Sequence, residues 1–125
     1  MTPTDGDGGQ MIRTLGPTVD LDGLIADARH EGREVHVVKA GPTKAATLEA
    51  FAAALDFPGW FGHNLDALAD CLEHLASRAK APWELVVDDL AELSAADHRA
   101  YVGIQVVLAD LAFAHPTWQV TLIDR

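Results

Sequence analysis

The chain is poor in cysteine and in bases. It holds one cysteine, Cys71, and nine Lys and Arg against nineteen Asp and Glu, a formal net charge of −10 over 125 residues. A single thiol excludes an internal disulfide and any cysteine-based zinc site, and it suits a reducing compartment. The shortage of bases argues against both nucleic acid and anionic membrane as partners, because each needs Lys and Arg to neutralise phosphates. No run approaches the roughly 18 consecutive apolar residues that span a bilayer, and the first twenty residues lack the apolar core of a signal peptide. The expectation is a cytoplasmic protein. What is present, 49% hydrophobic and 22% charged residues, is the composition of one globular domain.

The charge is unevenly placed. Residues 1–44 carry a net charge of −2 and residues 45–125 a net charge of −8, and no Lys or Arg stands between Lys44 and Arg78. Glu49, Asp56, Asp66, Asp70 and Glu73 fall in that gap, where neighbours in sequence cannot neutralise them. A cationic partner is the natural complement, and a solvated, solubilising surface is the plain alternative.

Along the chain, residues 1–10 (MTPTDGDGGQ) show no apolar periodicity and read as a tail, with Met11 as an alternative start. Residues 11–33 read as an N-terminal extension with a short helix: Leu21, Leu24, Ile25 and Ala28 keep helical spacing and Gly32 ends it. Residues 34–125 form the main domain. Val35, Val37 and Val38 predict a buried strand over 34–39, and Leu48, Phe51, Ala52 and Leu55 predict a helix over 43–55 that Pro58 closes. After a turn-rich loop with three aromatics, Asn64 offers an N-cap to a helix striped by Leu65, Leu68, Leu72 and Leu75, which fades near Arg78.

Trp83 to Asp88 reads as a second strand, a long helix is expected from a capping box at Ser94 to Ala114, and Trp118 to Asp124 reads as a third strand. On that long helix Tyr101, Ile104, Val107, Leu108 and Leu111 form one face. Val102, Val106 and Phe113 form a second, which the leading helix is expected to cover, with a dimer contact as the alternative. Helix-containing connections of about 30 to 45 residues are too long for hairpins, so the predicted fold is α/β with a three-stranded parallel sheet. Cys71, at the edge of an apolar stripe, and Trp83 and Trp118, each at the start of a strand, are expected to pack in the core.

At 100° per residue Asp66, Asp70 and Glu73 lie within about 60° of one another, beside the apolar stripe of their helix. Trp60, Phe61 and Gly62 precede them directly, so large aromatic surface is expected beside an acidic ridge, as at interfaces. Two other readings use the same residues. His63, Asp66, Asp70 and His74 have a spacing that could ligate zinc or another divalent metal, although His63 is expected to precede the Asn64 cap and so to leave the helical wheel. Asp66 and Asp70 could form a general acid and base, but nothing in the sequence supplies the desolvation that would separate their pKa values. The expectation is therefore no enzyme and no cofactor.

The run from Phe57 to Leu72 (FPGWFGHNLDALADCL) resembles the signature of the barstar family of intracellular ribonuclease inhibitors, in which two aromatics, Gly, a variable residue and Asn precede a helix with two spaced aspartates. The resemblance runs over about residues 34–125 in the order of elements. It implies a barstar-like fold, and a loop and helix that plug the active site of a basic ribonuclease of barnase-like type, with aspartates where substrate phosphates would sit. By that resemblance the partner-binding residues are Trp60, Phe61, Gly62, Asn64, Asp66 and Asp70, with Asp110 from the last helix, and Glu73 joins them as a member of the acidic ridge. This chain has Trp60 and Phe61 where the family usually has tyrosines, and Ala69 and Leu75 where the prototype has tryptophans. A monomer acting in a toxin–antitoxin or immunity pairing is implied. An immunity or regulatory module of the same fold with a partner other than a ribonuclease is the alternative.

Overall fold

A computed structural model of the chain describes residues 12–125. The tail expected at 1–10, and Met11, lie outside the described residues. The elements follow the order β1 (Ile12–Leu15), α1 (Leu21–His30), β2 (Glu34–Lys39), α2 (Lys44–Leu55), α3 (Leu65–Arg78), β3 (Trp83–Asp88), α4 (Leu90–Ala96), α5 (His98–Ala114) and β4 (Trp118–Ile123). The fold is α/β and every strand pairing is parallel.

The sheet has four strands, in the order β1-β4-β3-β2, and not the three expected. The additional strand, β1, is four residues long, too short for an alternation to stand out in the sequence; what defines it is pairing in register with β4, Ile12 opposite Val120 and Leu15 opposite Ile123. It shields what would otherwise be the open edge of β4.

One face of the sheet carries the core. Val38, Leu85, Val87, Val120 and Leu122 meet Leu48 and Phe51 of α2, Leu68 and Leu72 of α3, Leu90 and Leu93 of α4, and Ile104 and Leu108 of α5. Trp83 and Trp118, paired across β3 and β4, are buried and stacked with ring centroids 4.1 Å apart. Cys71 lies in the same core. Burial pushes its thiol pKa up, and the adjacent Asp70 carboxylate adds to the effect, so Cys71 behaves as an apolar packing group.

The opposite face is more polar. There α1 and the sheet enclose a cleft lined by Arg13, Asp27, Glu84 and Gln119 among others. The Thr121 hydroxyl donates to buried Glu84 at 2.6 Å and accepts from Arg13 Nε at 3.0 Å, which joins β1, β4 and β3 through side chains. Buried Asp88 accepts two hydrogen bonds from the Arg125 guanidinium, each 2.9 Å.

Two expectations about the last helical region are corrected. The single helix expected from Ser94 is two: Asp97 adopts a non-helical backbone (φ −148°, ψ 78°) between α4 and α5, and its carboxylate accepts the Ala100 N–H at 3.0 Å. The cap of α5 is therefore Asp97, because an aspartate at the break can reach a free N–H of the new helix. The second apolar face is not covered by the leading helix. Val102 is 41% exposed, Val106 53% and Phe113 81%, because α1 packs on the other side of the sheet from α5.

Candidate partner-binding site

The loop that leads into the site is shaped by two left-handed residues, Asp56 (φ 55°) after α2 and His63 (φ 48°) before α3. Between them the Phe61 N–H donates to the Pro58 carbonyl at 3.0 Å, a turn that sends the two adjacent aromatics to opposite environments. Phe61 is 5% exposed and packs on Phe57 with ring centroids 5.0 Å apart, whereas Trp60 is 75% exposed. The loop therefore exposes one of the two adjacent aromatics, the Trp60 indole, and buries the other.

Asn64 is committed within the chain. Its side-chain oxygen accepts the Ala67 N–H at 2.8 Å and its amide nitrogen donates to the Gly62 carbonyl at 3.2 Å. One amide thus ties the aromatic loop to the first turn of α3 and fixes where the helix begins. Gly62 sits tightly against it, since a Cβ at that position would lie 3.1 Å from the Asn64 amide nitrogen.

On α3, Leu68, Cys71, Leu72 and Ala76 are buried, and Asp66, Asp70, Glu73 and His74 are exposed. Gly103 of α5 leaves room for Leu65 of α3, whose Cδ1 would lie 2.6 Å from a Cβ there. This close approach brings Asp110 of α5 to the acidic ridge. Asp70, Glu73 and Asp110 line one cleft of about 320 Å³, with Ala69, Leu72, Val107, Leu111 and Ala114 as its apolar walls. A second cleft, of about 530 Å³, lies between the loop and α3 and is lined by Asp56, Phe57, Pro58, Trp60, Asp70, Cys71, His74 and Leu75. Asp70 borders both.

The carboxylates differ in their commitments. Glu73 lies 2.8 Å from His115 Nε2, a contact that links α3 to the end of α5. Asp66, Asp70 and Asp110 have no ion-pair or hydrogen-bond partner for their side chains among the described residues. His63 turns away from this ridge to Glu49, 2.6 Å from Nε2 to the carboxylate. The set His63, Asp66, Asp70 and His74 is thus not brought together, and no group of three or more His, Cys, Asp or Glu among the described residues could hold a metal ion.

Sequence reasoning placed the ridge but missed Asp56, His74 and Leu75 as the far wall of the aromatic cleft. Their roles depend on how the loop folds back over α3, for which helical spacing carries no signal. Among the described residues no helix is long and apolar enough to cross a membrane. Comparison with curated proteins finds no match. A family model described as Barstar (barnase inhibitor) matches residues 33–121, which takes in β2 through most of β4 and the whole of both clefts and leaves β1 and α1 outside. With the loop, the capped helix and three of the four parallel strands inside or largely inside a match of that length, the chain belongs to the Barstar family.

Proposed function

We propose that the protein is an inhibitor that blocks the active site of a small basic ribonuclease by presenting carboxylates in place of RNA phosphates. The observation that carries this reading is the position of Asp70. It has no side-chain partner among the described residues, it is held on a helix whose start is pinned by Asn64, and it is shared by an acidic cleft with Glu73 and Asp110 and an aromatic cleft with Trp60. A ribonuclease must gather Arg, Lys and His to bind phosphates, so a rigid array of carboxylates is complementary to its active site before contact and needs little ordering on binding. Asp66, one turn before Asp70, extends the array along α3. Trp60 supplies ring surface on which a cation or an imidazole can stack. The family membership supports the same partner class. The protein acts as a monomer in the cytoplasm and catalyses nothing itself.

The test is a titration of barnase-type ribonucleases with the purified protein, read by RNA cleavage. The expected result is stoichiometric loss of activity at one inhibitor per enzyme. Asp70→Ala should weaken inhibition by roughly 100-fold or more, on the order of 3 kcal/mol, because it strands buried cations of the enzyme without a partner. Its thermal melt should be unchanged. If no ribonuclease is inhibited, a partner of another kind is indicated. If Asp70→Ala lowers the melting temperature and leaves the inhibition constant unchanged, Asp70 is a structural residue and the reading fails.

A further inference from the structure

Asp110 does not stand alone on the surface of α5. Val106 precedes it by four residues and Phe113 follows it by three, the two spacings that make surface neighbours on a helix. Both are well exposed, and Val102 continues the same stripe one turn further back. A carboxylate with no side-chain partner among the described residues is thus flanked by apolar side chains that stand exposed among those residues. We infer that this stripe is part of the inhibitory interface: the basic partner that inserts cations into the acidic cleft also closes over Val106 and Phe113 with an apolar rim of its own. The inference rests on the inhibitor reading and extends its footprint from the cleft across the outer face of α5.

Continuity and charge decide the occupant. The stripe adjoins the cleft through Asp110, which lines the cleft on one side and neighbours Val106 and Phe113 on the other, so a partner that covers that carboxylate from both sides meets them. A second copy of the chain would bring two acidic clefts together, each on a molecule with a net charge of −10, whereas a basic partner gains from the same proximity. Apolar groups packed around a charged contact exclude water from it, which strengthens the ion pair they enclose.

Val106→Asp tests this with opposed signs. If the stripe is bare solvent-facing surface, one more carboxylate beside the cleft leaves binding to a basic ribonuclease unchanged or makes it tighter. If the stripe docks, the substitution buries an unpaired charge and weakens binding. Calorimetry with catalytically inactivated barnase-type ribonucleases should show Val106→Asp and Phe113→Ser each weakening binding roughly tenfold or more. Phe113→Ser should leave the salt dependence unaltered, since no charge changes. Asp70→Ala is measured in parallel. Loss with Asp70→Ala but none with Val106→Asp or Phe113→Ser overturns the extended footprint and leaves the acidic site intact. A wild-type protein that binds none of the ribonucleases removes both readings. Sedimentation of the free protein completes the test: a dimer that Val106→Asp converts to monomer would show that a second copy covers the stripe, and would overturn the proposal.

Discussion

Two carboxylates of β3 show how position decides what a charge does to stability. Asp88 is buried but held by Arg125, whose hydrogen bonds keep its carboxyl pKa below the usual range. A depressed folded pKa contributes stability above the ordinary value of about 4 and loses it as pH falls through the folded value. Arg125→Ala should therefore lower the melting temperature at neutral pH, and the difference from wild type should close on acidification below pH 4. Melts across pH 2.5–7.5 check this. Glu84 runs the other way, because burial pushes its carboxyl pKa up against the opposing Thr121 hydrogen bond and the more distant Arg13. A raised folded pKa contributes stability in acid and loses it as pH rises through the folded value. Glu84→Gln, which keeps an acceptor for Thr121, should raise the melting temperature at neutral pH and match wild type in acid. An equal effect at every pH would mean that the burial of charge is not what Glu84 costs the fold.

At the scale of elements, the site is the meeting of a loop and two helices, and Asn64 is the joint. Asn64→Ala should cost about 0.5–2 kcal/mol through loss of the N-cap, read by chemical denaturation. It should also weaken partner binding, because the Gly62 carbonyl loses its tie and the loop that carries Trp60 is no longer fixed to the start of α3. Gln is the informative control, since the longer side chain retains the amide but misplaces both bonds. The sequence made this joint legible. An Asn after a Gly-rich aromatic loop and before an apolar stripe is a local signal, and the cap was found at the expected residue. The break at Asp97 was not legible, since Ser94 and Asp97 both have capping chemistry and only the packing of Leu90 and Leu93 into the core selects a separate short helix. The opposite orientations of Trp60 and Phe61 were equally hidden, because adjacent aromatics in a turn follow no period.

For the whole molecule the relevant quantity is the field of the −8 portion that contains the site. Association with a basic partner should slow steeply as salt rises, while dissociation changes less, because screening acts on the approach of separated charges more than on desolvated contacts. At about 0.15 M salt the Debye length is roughly 8 Å, so much of the rate advantage should disappear between low and physiological ionic strength. Stopped-flow association across that range is the measurement. A flat rate would reduce the acidic bias to a solubility feature. Asp110→Asn should lower the slope and the rate together, since Asp110 is exposed and adds its charge to the cleft it lines with Asp70 and Glu73.

The amino-acid sequence alone determined the α/β class, three of the four strands, helices α1, α2 and α3, the body of α5, the Asn64 cap and the acidic ridge on α3. Each of these is written in a period or in side-chain chemistry within a few residues, so short-range physics suffices to read it. The tertiary structure decided the rest. Four residues of β1 become a strand only through their register against Val120 to Ile123, a pairing about a hundred residues distant. Asp110 joins Asp70 and Glu73 only because Gly103 lets α3 and α5 approach closely. The stripe of Val102, Val106 and Phe113 stays bare because α1 lies across the sheet from it, a matter of which face a helix takes rather than of how apolar it is.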